Sequence, residues 1–221
     1  MGGPIMKIRL RDPVSGLTHL VGAGLSIVAL IILVYYAATK ASAWHVVSFA
    51  IFGTSLILLY TASTLYHLLP VSEKGTRALR RIDHMMIFVL IAGTYTPICL
   101  IPLRGGWGWS LFVAIWVIAV TGIILKGVWF NAPRWLSTLF YTAMGWLVVV
   151  AFLPLVRSLP VGAMGWLVAG GIMYTIGALL YGLKWPKGRK YFGFHEIFHL
   201  FVLAGSFCHF WVMYQYVLYL R

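Results

Sequence analysis

His195 and His199 stand four residues apart in Phe194-His195-Glu196-Ile197-Phe198-His199, at the start of the last long apolar run. On a helix that spacing sets both rings one turn apart on one face. Two imidazoles so placed can grip one metal ion, and zinc is the commonest ion in histidine-rich sites. A hydrogen-bonded interior pair, or an interfacial one, is the plainer alternative. The surrounding run favours the ion, because ionisable groups are costly inside a membrane segment and mark functional sites there.

Further chemistry comes from two other runs. His67 ends one in Ser63-Thr64-Leu65-Tyr66-His67, and Asp83 opens the next in Arg80-Arg81-Ile82-Asp83-His84. Three neutral imidazoles with an open fourth position make the ligand set of a catalytic zinc. A carboxylate beside it can hold and activate a water, whose pKa falls to about 7 in such sites. Asp83 offers that group, although a first-turn acid favoured by the helix dipole is its plainer reading. Ser63, one turn before His67, can hydrogen-bond the water or a substrate carbonyl, or else its own helix backbone. The remaining acids, Asp12 and Glu73, read as solvated or paired with neighbouring Arg and Lys.

Seven apolar segments must position these groups, each near the roughly 20 residues a bilayer requires. They run over 17–38, 45–68, 82–103, 110–128, 136–155, 161–183 and 194–218, with short connections, as one membrane domain over 1–221. Composition agrees: 62% of the 221 residues are hydrophobic and 10% charged, against about a quarter charged in soluble domains. The chain is therefore expected to be an all-α, polytopic membrane protein. The first run is too long for the 7–15 residue core of a signal peptide, despite Ala41-Ser42-Ala43 after it. Cys99 and Cys208 fall inside apolar runs and read as small core residues.

The net charge of +13 would suggest nucleic acid in a soluble protein; here it reports basic loops on one side. One set of ends carries Lys7, Arg9, Arg11, Lys74, Arg77, Arg80, Arg81, Lys126, Arg134, Lys184, Lys187, Arg189 and Lys190. The other carries Lys40, Arg104, Arg157 and Arg221, a split of thirteen against four. Basic residues stay inside, so the N-terminus is expected in the cytoplasm and the C-terminus outside. Threading then puts His67, Asp83, His195 and His199 at similar depth in the cytoplasmic leaflet. His19 is expected near them, as a supporting or interfacial residue. His84 points about 100° away from Asp83 on a helix. His45 reads as an interfacial anchor. His209, about 15 Å beyond His199 along its helix, is too deep for the same ion and reads as an interhelical hydrogen-bonding residue.

The chain resembles the haemolysin III family, the bacterial branch of the progestin and adipoQ receptor superfamily. The residues that carry this are Ser63-Thr64-Leu65-Tyr66-His67, Asp83-His84, Leu90-Ile91-Ala92-Gly93-Thr94-Tyr95-Thr96-Pro97, Ala143-Met144-Gly145-Trp146, His195-x-x-x-His199 and Gly205-Ser206-Phe207-Cys208-His209-Phe210. The resemblance covers essentially the whole chain. It implies seven helices and a zinc site held by His67, His195 and His199, with Asp83 reaching the metal through water and Ser63 close by. The wider superfamily looks like a set of metal-dependent membrane hydrolases, ceramidases among them. That implies a lipid amide or ester as substrate, entering from the bilayer.

Two other readings stand beside a zinc-dependent lipid hydrolase with Asp83 as base and Ser63 at the oxyanion. One is a non-enzymatic homeostasis factor, sensor or cytolysin with a structural zinc; its weakness as a pore is that no helix carries a line of polar residues from face to face. The other is an intramembrane zinc protease, suggested by the literal H-E-x-x-H with Glu196 as base. It lacks the deep acid that would serve as a third ligand.

Overall fold

In lipid a backbone amide has no water to bond, so the apolar runs satisfy their own N–H and C=O groups as helices. The computed structural model describes residues 10–129, 133–188 and 192–220, the side chain of Arg134 apart. Lys7, Arg9, Arg189, Lys190 and Arg221, and the charge of Arg134, lie outside the described residues. Eight α-helices follow in order: α1 Pro13–Lys40, α2 Ala43–Leu68, α3 Glu73–Leu100, α4 Gly106–Val128, α5 Arg134–Trp146, α6 Phe152–Ser158, α7 Val161–Leu183 and α8 Phe194–Gln215. Three-ten turns at Leu147–Ala151 and Val217–Tyr219 complete the order, with no β-strand among the described residues. Seven stretches are long and apolar enough to cross a membrane, with α5, its three-ten turn and α6 forming one of them.

Two segments depart from the sequence expectation, each for a physical reason. α3 starts at Glu73, nine residues earlier than its apolar run, because Ser72 caps it: its Oγ accepts the Gly75 N–H at 3.3 Å. The polar stretch Lys74–Arg81 is thus helical without being apolar, and Asp83 sits three turns inside α3, not in its first turn. The helix-dipole reading of Asp83 is thereby removed. The fifth span is broken between α5 and α6, where one phenol satisfies the loosened backbone. Tyr95 Oη donates towards the carbonyls of Met144 (3.0 Å) and Gly145 (2.7 Å) and accepts the Val148 N–H (2.8 Å).

Consecutive helices pack as neighbours along α1–α4, α7 packs along α8, and α8 returns against α1. Phe49, Phe52, Leu56, Tyr60, Ile115, Val212 and Met213 form much of the fully enclosed interior. Leu17, Val21, Leu25, Val28 and Ile31 lie exposed along α1, as a lipid-facing stripe should. Small residues let α7 and α8 approach closely: a Cβ at Gly205 would lie 2.7 Å from the Tyr174 ring, and one at Gly177 2.9 Å from the Phe201 Cβ. α5 is held far more loosely, chiefly by α7 and a few residues of α3. Both cysteines are free and buried, as core residues should be.

At the end of the bundle away from His67, His45 Nε2 pairs with the Val217 carbonyl at 3.1 Å and its Nδ1 with Ser42 Oγ at 2.9 Å. It is more than an interfacial anchor: it ties the start of α2 to the turn after α8.

Removing the Tyr95 hydroxyl strands two carbonyls and an amide at the break. Tyr95→Phe is expected to destabilise the folded protein by about 1–3 kcal/mol. Thermal melts in detergent should show the loss with helix content unchanged at low temperature. An unchanged melting temperature would mean that the break is satisfied in some other way.

Candidate metal centre

α2 delivers His67 from its last turn, and α8 delivers His195 and His199 from its first two turns. One ring nitrogen from each of the three lies within 4.8 Å of the others. His67 and His199 are buried (3% and 2% exposed) and His195 is partly so. The Nε2 atoms of His67 and His195 are 3.2 Å apart. Two nitrogens each about 2.0–2.1 Å from a tetrahedral zinc lie roughly 3.3 Å apart. The spacing fits a shared ion.

What fixes the rings is the N-terminal end of α1. The Asp12 N–H donates to the His67 carbonyl at 3.0 Å, docking the start of α1 on the end of α2. The Asp12 side chain makes no capping bond with its own helix. Its Oδ2 lies 3.3 Å from His67 Nδ1 and 3.3 Å from Arg11 Nε. An Nδ1–H donated to that carboxylate leaves His67 Nε2 free as a ligand, the usual outer partner of a metal-bound imidazole. Ser15 does the same for α8: its carbonyl accepts from His199 Nδ1 at 3.2 Å. His19, one turn further on, stacks flat on His199 with centroids 3.7 Å apart and planes at 7°.

The structure thus brings His67, His195 and His199 together and puts His19 against them as a supporting ring. Asp83 and Ser63 do not belong to the histidine cluster itself. They line the same cavity as His195 and His199, a space of about 460 Å³ walled by α2–α8 with His19 of α1. Ser63 is 1% exposed. His84, expected to point away from Asp83, has its Nδ1 3.5 Å from the Asp83 carboxylate while donating to the Arg80 carbonyl at 2.8 Å.

The sequence reading of Asp12, solvated or paired with a neighbouring Arg or Lys, holds for its pairing with Arg11 but misses its contact with His67, and Ser15 was passed over. The signal available for both was their place at the start of α1, on the side where α2 ends and α8 begins. Glu196 turns out to be a helix cap. Its Oε1 accepts from Ser15 Oγ at 2.7 Å and its Oε2 from the Gly193 N–H at 2.8 Å. Both oxygens are so engaged, and Glu196 stands outside the residues lining the cavity.

A membrane bundle of seven spans with a histidine triad at one end is the class of protein that this geometry defines. The family described as "Haemolysin-III related" matches residues 8–210, and the chain belongs to that family. It is 45% identical over 193 residues to Hemolysin-3 homolog of Bacillus subtilis (strain 168), covering 87% of each chain. Against Hemolysin-3 of Bacillus cereus it is 44% identical over 204 residues, 92% of this chain and 90% of the relative. A distant likeness, 24% over 183 residues (79% of this chain, 72% of the other), joins it to human Monocyte to macrophage differentiation factor. The chain is a multi-pass membrane protein.

Loss of the carboxylate behind His67 should weaken metal binding without abolishing it. Asp12→Asn is expected to lower zinc affinity by about 10–100-fold, and His67→Ala to reduce zinc uptake to background, both read by competition with a chromogenic chelator. Binding should also fade in acid, because protons then compete for the same nitrogens. Equal zinc affinity in wild type and His67→Ala would remove His67 from the site.

Proposed function

We propose that the chain is a zinc-dependent hydrolase of a lipid amide or ester, similar in chemistry to a ceramidase. The observation that carries this reading is that Asp83, Ser63, His195 and His199 share one largely apolar cavity. A bound zinc would polarise the scissile carbonyl and lower the pKa of water to about 7. His67, His195 and His199 would hold it, with Asp12 and Ser15 keeping two of the rings in register.

Asp83 takes the proton from water as its oxygen bonds to the carbonyl carbon, and returns it to the leaving nitrogen or oxygen as the acyl bond breaks. The Ser63 hydroxyl donates to the oxygen on which charge develops. His84 Nδ1 lies 3.5 Å from the Asp83 carboxylate. The apolar walls seat the acyl chain and keep bulk water out. The loosely packed α5 side offers the chain lateral entry from the bilayer, and basic residues at the triad's end set that end in the cytoplasmic leaflet.

The names Hemolysin-3 and Hemolysin-3 homolog of two relatives favour a second reading, a cytolysin; in it, as in a non-enzymatic homeostasis factor or sensor, the metal would be structural. The two readings separate on Asp83. Under the hydrolase reading Asp83→Ala abolishes release of fatty acid from lipid amides and esters while zinc content stays near that of wild type. Ser63→Ala is expected to slow turnover by about 10²–10³-fold, the cost of one oxyanion donor. Hydrolysis unchanged in Asp83→Ala would reject Asp83 as base. A zinc-replete wild type that releases no fatty acid from any lipid amide or ester would favour the structural metal.

A further inference from the structure

α8 carries a second polar station on the wall of the same cavity. His209 lies ten residues beyond His199, about 15 Å along the axis at 1.5 Å per residue. It is 8% exposed and faces the cavity, yet its Nδ1 is buried without a hydrogen-bond partner. The interhelical bond expected of it at that atom is absent. The ring stacks on Tyr174, with centroids 5.5 Å apart and planes at 18°. Tyr174 is in turn fixed from behind, because Ser206 Oγ pairs with its hydroxyl at 2.9 Å and accepts from Tyr60 Oη at 2.6 Å. Room for the imidazole is made by Gly170, where a Cβ would sit 2.8 Å from His209 Nε2. The neighbouring hydroxyls are thus spent on one another, and the histidine they surround is left with hydrogen-bonding capacity.

A neutral imidazole carries one donor and one acceptor. Ionisable groups this deep in a membrane bundle are retained where something engages them. Leu59, Ile91, Leu167 and Val202 are among the apolar residues that line the cavity with it. We propose that the cavity takes an acyl chain bearing a hydroxyl at the depth of His209, so that the protein selects hydroxylated lipids. A hydroxyl both donates and accepts, and so meets either tautomer. An extended chain advances roughly 1.2 Å per bond, as a polypeptide does over its three bonds per residue. The hydroxyl then falls about twelve bonds from the carbonyl held at the histidine triad. The position of the carbonyl rests on the hydrolase reading above; the presence of the polar station does not.

The test measures binding, by native mass spectrometry, to full-length zinc-loaded protein carrying Asp83→Asn so that the probes persist. Three octadecanoyl ethanolamides are compared: unsubstituted, hydroxylated at carbon 12 and hydroxylated at carbon 3. The 12-hydroxy probe is expected to bind about tenfold tighter than the other two, a gain of one hydrogen bond. His209→Phe is expected to remove that preference while leaving the affinity for the unsubstituted probe. Gly170→Ala, which crowds the ring without deleting it, should reduce the preference too. Equal binding of all three probes, or a preference that survives His209→Phe, would overturn the proposal. Should His209→Phe not fold, the ranking of the three probes and the Gly170→Ala result decide. If wild type hydrolyses none of the probes and the ranking still holds, the hydrolase reading fails and the hydroxyl site stands. If all are hydrolysed and none is preferred, the reverse is true.

Discussion

Everything at the triad depends on two imidazoles being held by their Nδ1 atoms. A buried histidine can offer a metal only one nitrogen, and which one is set by what the other is bonded to. Asp12 takes Nδ1 of His67 and the Ser15 carbonyl takes Nδ1 of His199, so both Nε2 atoms are left for a shared ion. Both partners come from the start of α1, a helix that contributes no ligand to the triad. The capping of α8 by Glu196, through Ser15 Oγ, ties the same segment to the same helix. The first turn of α1 is therefore the jig in which the ligand helices are set.

The elements were legible in the sequence because hydrophobic length is a direct consequence of bilayer thickness. Their ends were less so. α3 runs on through a charged stretch that no hydropathy pattern marks, and only the Ser72 cap shows where it begins. The break between α5 and α6 is invisible for a different reason. Its compensation lies in Tyr95, some fifty residues away in sequence, and local patterning carries no trace of a partner so distant.

The triad itself could be read from spacing on α8 and from threading, since both place side chains by geometry alone. The groups behind it could not. Asp12 next to Arg11 looks like a solvated pair, and it does contact Arg11, but one oxygen also reaches a histidine 55 positions later. Glu196 sits inside a sequence that spells a protease motif, and only the fold shows its oxygens turned to Ser15 and Gly193. His209 is the opposite case. Its depth was plain from helix rise, whereas the missing partner at Nδ1 required the surrounding hydroxyls to be seen already committed to each other.

The closure of α8 against α1 also bears on how the protein is made. The bond from His199 to Ser15 joins residues 184 positions apart, and the approach of His195 to His67 spans 128. Helices emerge from the ribosome in order, so a nascent chain has His67 in place long before the other two rings exist. No partly inserted intermediate can assemble the full triad. Any ion held by all three rings would thus be captured only at the final step of biogenesis, and a chain truncated before its last span would have no means of sequestering metal at this site.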